Sequence, residues 1–265
     1  MVPIPGGHHS TAAIRVNDGA ILAVMPDACF ADPRLAAVYD PLDPDRGDLD
    51  AYVRMADEFA AGSVLDIGCG TGVFALRLAG LGLDVVGIDP AAASVDVARG
   101  KNGADAVRWI CGDATRLPPL QVDLATMTAN VAQAIVDPEL WRATLAAAHG
   151  ALRPGGRLVF ETRVPSRRAW QEWTPELSRQ VTDVPGAGRI ESWVRLTRVD
   201  LPLVGFRWTY VFASDGATLT SDSILRFRER AEIEADLAAQ GFVVEEVREA
   251  PDRPGMEYVF VARRP

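Results

Sequence analysis

Val64-Leu65-Asp66-Ile67-Gly68-Cys69-Gly70-Thr71-Gly72 is the stretch that decides the fold. An apolar run over 63–67 ends in glycines at alternate positions, and a helical pattern then opens at Val73 and stops at Gly80. A strand that breaks into a glycine turn and resumes as a helix brings bare backbone and helix-terminal N–H groups close to a ligand.

The same alternation extends downstream of this unit. Periodicity predicts strands over 84–88, 107–111, 124–127 and 157–161. Helices are expected over 91–99 and 139–152, and Pro154-Gly155-Gly156 is expected to turn into the last of these strands. Upstream, Pro33 starts a helix carrying Leu35, Val38 and Tyr39, followed by a Pro/Asp/Gly break over 41–47. A second helix, capped by Asp48 or Asp50, reaches Ala60 with Tyr52, Met55 and Phe59 on one stripe. Near the C-terminus a helix over 229–240 stops at Gly241, and strands follow over 242–248 and 257–263. Strands separated by helices imply parallel βαβ units with right-handed crossovers. The expected class is α/β: a doubly wound, mostly parallel seven-stranded sheet with helices on both faces.

Past Arg163 the rhythm breaks. Residues 189–228 read as three antiparallel strands. In the middle one Val204, Phe206, Trp208, Tyr210 and Phe212 share a face, with Gly205, Arg207 and Thr209 opposite. Ser214-Asp215-Gly216 closes a hairpin onto a strand bearing Leu219, Ser221, Ser223 and Leu225. The expected organisation is a mobile tail over 1–30, a core over 31–165 plus 229–265, and an antiparallel lid inserted over 166–228.

Composition bounds the function. The 265 residues are 48% hydrophobic and 24% charged, which suits a globular chain with a sizeable core and excludes a disordered one. Twenty-seven basic against thirty-six acidic residues give a net charge of -9, which repels a phosphate backbone, so no nucleic-acid partner is expected. Cys29, Cys69 and Cys111 are an odd count without metal-site spacing, which suits a reducing compartment, the cytoplasm. No basic-then-apolar leader opens the chain, and the N-terminal apolar run over 20–25 is too short to span a bilayer, so no membrane anchor is expected. His8 and His9 follow Gly6-Gly7 in a stretch without periodicity and read as tail. Lys101 is the single lysine, and its Lys-Asn-Gly setting reads as an exposed turn, which removes Schiff-base chemistry.

The glycine spacing discriminates between ligands. A dinucleotide fingerprint needs G-x-G-x-x-G, whereas this loop reads G-x-G-x-G with Val73 in the third position, which opposes a nicotinamide dehydrogenase. An acid at Asp89, beyond the next strand, can accept two hydrogen bonds from a cis-diol, and Asp113 offers an acceptor to an exocyclic amine. Each acid can equally cap the helix that follows it. Asp66 has two readings: it faces a ligand ammonium, or it orders the turn through backbone N–H groups.

The stretch 64–72 resembles the first motif of class I S-adenosylmethionine-dependent methyltransferases. Gly87-Ile88-Asp89, Gly112-Asp113-Ala114 and Leu152-Arg153-Pro154-Gly155-Gly156-Arg157-Leu158 resemble later stations of that family, in the right order and at predicted strand ends. The resemblance implies S-adenosyl-L-methionine as cofactor, with Asp89 on the ribose hydroxyls, Asp113 on the adenine amine and the Ala114 N–H on a ring nitrogen. It adds Asp66, Gly68, Cys69, Gly70, Pro90, Gly112 and Thr128 to the cofactor site. Tyr39 has two readings, against the cofactor's amino-acid end or in the core. Cys69, inside the loop and without a histidine nearby in sequence, reads as a size requirement.

The implied reaction is in-line displacement of a methyl group from a sulfonium onto nitrogen or oxygen of a small-molecule acceptor. Alignment supplies much of the acceleration, and a base is needed only to deprotonate or orient the acceptor. Met127-Thr128-Ala129-Asn130-Val131-Ala132-Gln133 has no acid, so no metal is expected, and it lacks the Pro-Pro-aromatic run of DNA amino-methyltransferases. His149 precedes Gly150 near a helix end and reads as a surface or helix-dipole residue. Asn130, Glu161 and Arg163 are the expected catalytic candidates, against surface or capping roles. Eight of the nineteen aromatic residues lie between Trp170 and Phe227, which places acceptor selection in the lid. Ser221 and Ser223 are expected to line a cavity there, and Arg167, Arg168 and Arg207 to meet an anionic acceptor or solvent. The competing reading is a protein that binds S-adenosylmethionine without transferring methyl, as a regulator or a non-methylating catalyst.

Overall fold

The computed structural model describes residues 26–265. In chain order the elements are α1 (Ala28–Ala31), α2 (Pro33–Leu42), α3 (Asp50–Glu58), β1 (Ser63–Ile67), α4 (Val73–Gly80), β2 (Asp84–Asp89) and α5 (Ala92–Arg99). Then come β3 (Val107–Cys111), β4 (Val122–Met127), α6 (Val131–Ala134), α7 (Pro138–Ala151) and β5 (Leu152–Arg163). The inserted region holds α8 (Pro175–Ser178), β6 (Gln180–Val184), β7 (Gly188–Asp200), β8 (Leu203–Phe212) and β9 (Thr218–Arg226). The chain returns through α9 (Arg230–Ala239), β10 (Val243–Glu249) and β11 (Glu257–Arg263).

The main sheet has seven strands in the order β10-β11-β5-β4-β1-β2-β3. β3, β2, β1, β4 and β5 run parallel, and β11 is antiparallel to both β5 and β10. All five residues of β1 are buried, as a central strand covered on both faces requires. α7 and α9 cover one face through Trp141, Leu145, Ile233 and Leu237, and α3 and α4 cover the other through Tyr52, Met55, Phe74 and Leu78. The strand order reverses between β1 and β4, so a crevice opens at the carboxyl ends of these strands. Local chemistry sets the helix starts: Asp32 and Asp137 accept from the first free N–H groups of α2 and α7, each ahead of a proline at the first helical position. Among the described residues, no helix is long and apolar enough to cross a membrane.

Several local expectations need correction. Residues 28–30, assigned to a mobile tail, belong to α1, whose Cys29 is buried; the readings of His8, His9 and the run over 20–25 lie outside the described residues. α2 runs through Pro41 to Leu42, because proline so near a helix end removes a single backbone bond. The Pro154-Gly155-Gly156 turn is a bulge within β5: pairing passes from Val122↔Leu152 to Leu124↔Arg157, and Gly155 (φ 83°) takes up the extra residues. The second sheet has four strands, not three, in the order β6-β7-β8-β9. β6 is a mostly exposed edge strand held by backbone pairing to β7, so it carries no apolar alternation to be read.

Two apolar clusters seat the second sheet, one against the core and one within the insertion itself. One joins Leu35 and Val38 of α2 to Ile190, Tyr210 and Phe212, and the other joins Trp170 to Val204 and Phe227. Where β9 leads into α9, Arg228 is buried, donates to Ala132 O (2.8 Å) and Ile135 O (2.6 Å), and lies over the Trp141 ring. Replacing it leaves two carbonyls without their donors in a closed site. Arg228→Met is therefore expected to lower stability by about 2–4 kcal/mol, seen as a lower urea midpoint at unchanged m-value.

Candidate functional site

The site forms where β1, β2, β3, β4 and β5 end. The glycine loop after β1 hangs on the neighbouring strand: Gly68 N and Cys69 N both donate to Ile88 O, and Gly72 N donates to Cys69 O. Gly68 sits at φ 74°, and a Cβ there would lie 2.5 Å from Val131 Cγ2, so only glycine lets α6 pack this close. Gly70 (φ 51°) is different in kind. No atom lies within 4 Å of where its Cβ would be, so its bare backbone faces open space.

Two acids bond this loop and two more stand at neighbouring strand ends, each in a different state. Asp89 ties the loop to β2: Oδ2 accepts from Gly70 N (2.9 Å) and Oδ1 from Ala91 N (2.8 Å). Each carboxylate oxygen keeps a lone pair. Asp113 takes the capping role, accepting from Thr115 N (2.9 Å) and Thr115 Oγ1, with Arg116 Nε 3.8 Å from its other oxygen. Asp66 is 1% exposed; its Oδ1 accepts from Thr126 Oγ1 (3.1 Å) and its Oδ2 has no partner. No loop N–H reaches Asp66, so the turn-ordering reading fails. Burial, reinforced by Asp89, pushes its carboxyl up to about 7. Asp40, the fourth, belongs to α2 and accepts from Thr71 Oγ1 at 2.6 Å.

Other expected cofactor residues line the same rim. Ala114 and Thr128 are buried, Pro90 is half-buried, and Gly112 N donates to Asp89 O (2.9 Å). Cys69 is buried and its thiol is pushed well up by burial, as a residue chosen for size should be. Tyr39 packs 5.3 Å from the Phe30 ring, and burial pushes its phenol up to about 12.

Lys101 is not the exposed turn the sequence suggested. Its ammonium donates to Asp40 and to Thr71 O (2.7 Å), reaching from the end of α5 over the glycine loop. Sequence reading also missed Arg46, in the loop between α2 and α3. It pairs with Asp48 (3.2 Å), and its charge acts on both Asp66 and Tyr39. Asp-Arg-Gly inside a polar loop carries no signal of such a position.

The three acceptor-side candidates converge. Asn130 N donates to Glu161 Oε1 (3.1 Å), Asn130 Nδ2 donates to Glu257 Oε1 (3.2 Å), and Asn130 Oδ1 is buried without a partner. Ala129 (φ 55°) and Asn130 (φ 61°) both hold the left-handed conformation, a strain typical of sites where backbone aims a group. Arg163 donates to Gln133 Oε1 (3.0 Å), sits 3.9 Å from Glu257 and lies over the Trp173 ring. Burial and the nearby carboxylate of Glu257 push Glu161 up to about 8. Glu257 and Gln133 were not foreseen. Glu257 opens β11 directly across from Arg163, a register visible only once β11 is known to pair with β5.

Other expectations fall away. Ser221 and Ser223 are buried and Cys29 N donates to Ser221 Oγ (2.9 Å), so α1 packs on the face expected to be open. Arg207 forms a two-point surface pair with Asp222, and Arg167 donates to Gly255 O. Arg168 is exposed. His149 packs edge-on to Phe242 at the opposite rim of the sheet.

The raised carboxyls make a measurable signature. Asp66 and Glu161 bind a proton more tightly folded than unfolded, so their stabilisation is complete below about pH 4 and is lost as pH rises through about 7 and about 8. The melting temperature of the ligand-free protein should therefore fall between pH 5 and 8.5. Asp66→Asn combined with Glu161→Gln should flatten the decline, and a double variant with the wild-type slope would refute this assignment.

Comparison with known proteins gives the following likenesses. Residues 64–156 match the family profile described as a methyltransferase domain. The chain is 35% identical over 116 residues to the biotin biosynthesis bifunctional protein BioHC of Cellvibrio japonicus, covering 41% of this chain and 22% of that protein. It is 35% identical over 156 residues to the tRNA U34 carboxymethyltransferase of Methylococcus capsulatus, covering 54% of this chain and 44% of that one. The chain thus spans less than half the length of either relative. Among solved structures, SAM-bound CalS10, an amino pentose methyltransferase from Micromonospora echinaspora, is 25% identical, with 86% of this chain and 97% of that chain covered at a TM-score of 0.66. The sugar N-methyltransferase KedS8 from Streptoalloteichus sp. is 20% identical, with 97% and 99% covered at a TM-score of 0.67, and shows the fold.

Proposed function

We propose, from the premise that this chain belongs to the class I S-adenosylmethionine-dependent methyltransferases, that it moves the cofactor's methyl group onto a nitrogen or oxygen of a small-molecule acceptor, without a metal. The observation that carries this reading is the pairing of two unfinished places at the switch point. Asp66 Oδ2 is buried without a partner and Gly70 presents bare backbone to open space, which suits a ligand bearing a cationic end.

When bound, S-adenosylmethionine supplies a methyl group on a positively charged sulfur that leaves neutral. The residues of this chain bind and orient it. Asp89 accepts the ribose hydroxyls with the lone pairs left by Gly70 N and Ala91 N. Asp113 Oδ2 and the Ala114 N–H meet the adenine, while Thr128, Pro90 and Gly112 shape the wall. Asp66 faces the ammonium of the amino-acid end, and Tyr39 with Arg46 covers its carboxylate. On the acceptor side, Glu161 takes the proton from the attacking group, and Asn130 with Arg163 aims it. The lid selects the acceptor, and its half-buried Trp173 lies beside Arg163.

A small molecule, not nucleic acid, is supported by the net charge of -9 and by the run over 127–133, which lacks the base-stacking motif. The amino pentose and sugar N-methyltransferase names of the two structural neighbours point the same way. Metal independence is supported by the acid-free run after β4. Three unpaired cysteines, two of them buried, support a reducing, cytoplasmic setting.

The test is calorimetric titration with S-adenosylmethionine and S-adenosylhomocysteine, with NADH as control, followed by methyl transfer to panels of amines, phenols and carboxylates. Micromolar binding of both sulfur ligands, none of NADH, and a methylated product are expected. Binding without any product would leave a cofactor-binding protein and overturn the enzymatic reading.

A further inference from the structure

The single lysine of this chain is spent on the glycine loop. Thr71 stands between two left-handed glycines, Gly70 (φ 51°) and Gly72 (φ 81°), the residue type with the most backbone freedom to lose. It is nevertheless gripped at both of its oxygens. Thr71 Oγ1 donates to Asp40 Oδ1 (2.6 Å), and Thr71 O accepts from Lys101 Nζ (2.7 Å). Lys101 also pairs with the second oxygen of Asp40, which closes a triangle between α2, the loop and the end of α5. One residue earlier, Gly70 N is held by Asp89.

α2 carries this grip further. Asp40 is adjacent to Tyr39, and the start of α2 is bound to the lid by a two-point pair between Arg34 and Asp215 (2.8 and 3.0 Å). The helix therefore lies as a bar from lid to loop, with Lys101 and Asp40 as the fastening at the loop end.

We infer that Lys101 and Asp40 are positioning residues for the cofactor, which fix the Gly70-Thr71-Gly72 backbone in its ligand-accepting shape and hold α2 across it. The inference rests on the cofactor reading above. The lysine touches no reacting atom. It acts by removing in advance the backbone freedom that binding would otherwise have to order, which is where preorganisation raises affinity. A side chain serving stability alone would behave differently: its loss would lower the ligand-free melting temperature and leave the affinity of the folded protein unchanged.

Titration of S-adenosylhomocysteine into full-length variants tests this. Lys101→Met is expected to weaken binding about tenfold, Asp40→Asn by a similar factor, and Lys101→Arg to return affinity to within threefold of wild type. Arg99→Met, two residues from Lys101, breaks an exposed pair with Asp96 and should leave affinity unchanged. The ligand-free melting temperature should move by no more than a couple of degrees in all four. In turnover, Lys101→Met should raise KM for S-adenosylmethionine with little change in kcat. Binding by Lys101→Met within twofold of wild type, failure of arginine to rescue, or a loss confined to kcat would each overturn the inference. Wild-type protein that binds neither sulfur ligand would instead overturn the cofactor reading, and the inference with it.

Discussion

Asp89→Ala is expected to reduce affinity for S-adenosylmethionine and S-adenosylhomocysteine at least tenfold, and toward a hundredfold or more. Two charge-assisted hydrogen bonds to a diol contribute roughly 1.5–3 kcal/mol each, and each 1.4 kcal/mol is tenfold in binding. The variant also strips the acceptor from Gly70 N and Ala91 N, so loop shape and ligand contact fail together. Asp89→Asn separates the two. Its amide oxygen can still accept one backbone N–H while the charge and one acceptor are gone, so an intermediate loss is expected. Calorimetry on both variants decides, and unchanged affinity in Asp89→Ala would remove Asp89 from the ribose.

The second large effect is on turnover. Glu161→Gln is expected to lower kcat by about 10²–10⁴, the usual contribution of a positioned proton acceptor, with little change in KM for S-adenosylmethionine. The glutamine can keep the bond from Asn130 N, so loss of folding is not the expected route. The pH profile supplies the sign. A carboxyl raised to about 8 is protonated at neutral pH and accepts a proton only once ionised, so wild-type kcat/KM for the acceptor should climb as pH rises through that value. Binding of a cationic cofactor favours the ionised form, so the profile of kcat should turn over at lower pH. Glu161→Gln should lose the climb. A variant as active as wild type would show that the acceptor arrives already deprotonated and that alignment alone suffices.

The parallel core was legible because each of its signals is local. Glycine at 68, 70 and 72, an acid closing β2 and the switch of hydrophobic period from two to 3.6 lie within a few residues of the structure they dictate. β6 was not legible, since an exposed edge strand is specified by the backbone of its partner and not by its own side chains. Asp66, Asp89, Asn130, Glu161 and Arg163 were singled out from their positions at strand ends. Glu257, Lys101 and Arg46 were not, for a common reason. Their significance depends on a contact between segments distant in sequence: β11 on β5, α5 on α2, and the α2–α3 loop over β1. The serines of β9 were misread because the element that covers them, α1, is too short to announce itself.

The reversed direction of β11 has a consequence for how such an enzyme can diversify. A parallel strand delivers its end to the ligand edge, whereas β11 delivers its beginning, and with it the connection from β10. Residues 250–256 therefore border the cluster of Asn130, Glu161 and Arg163, where Arg253 donates to Glu257 and Val164 N donates to Met256 O. This hairpin connection is fastened to β5 and its flank, whereas the proposed cofactor acids Asp66, Asp89 and Asp113 stand at the ends of β1, β2 and β3. On the proposed reading, lengthening or rewriting it would change the acceptor side and leave the methyl donor's cradle intact, a natural seam between what the protein spends and what it modifies.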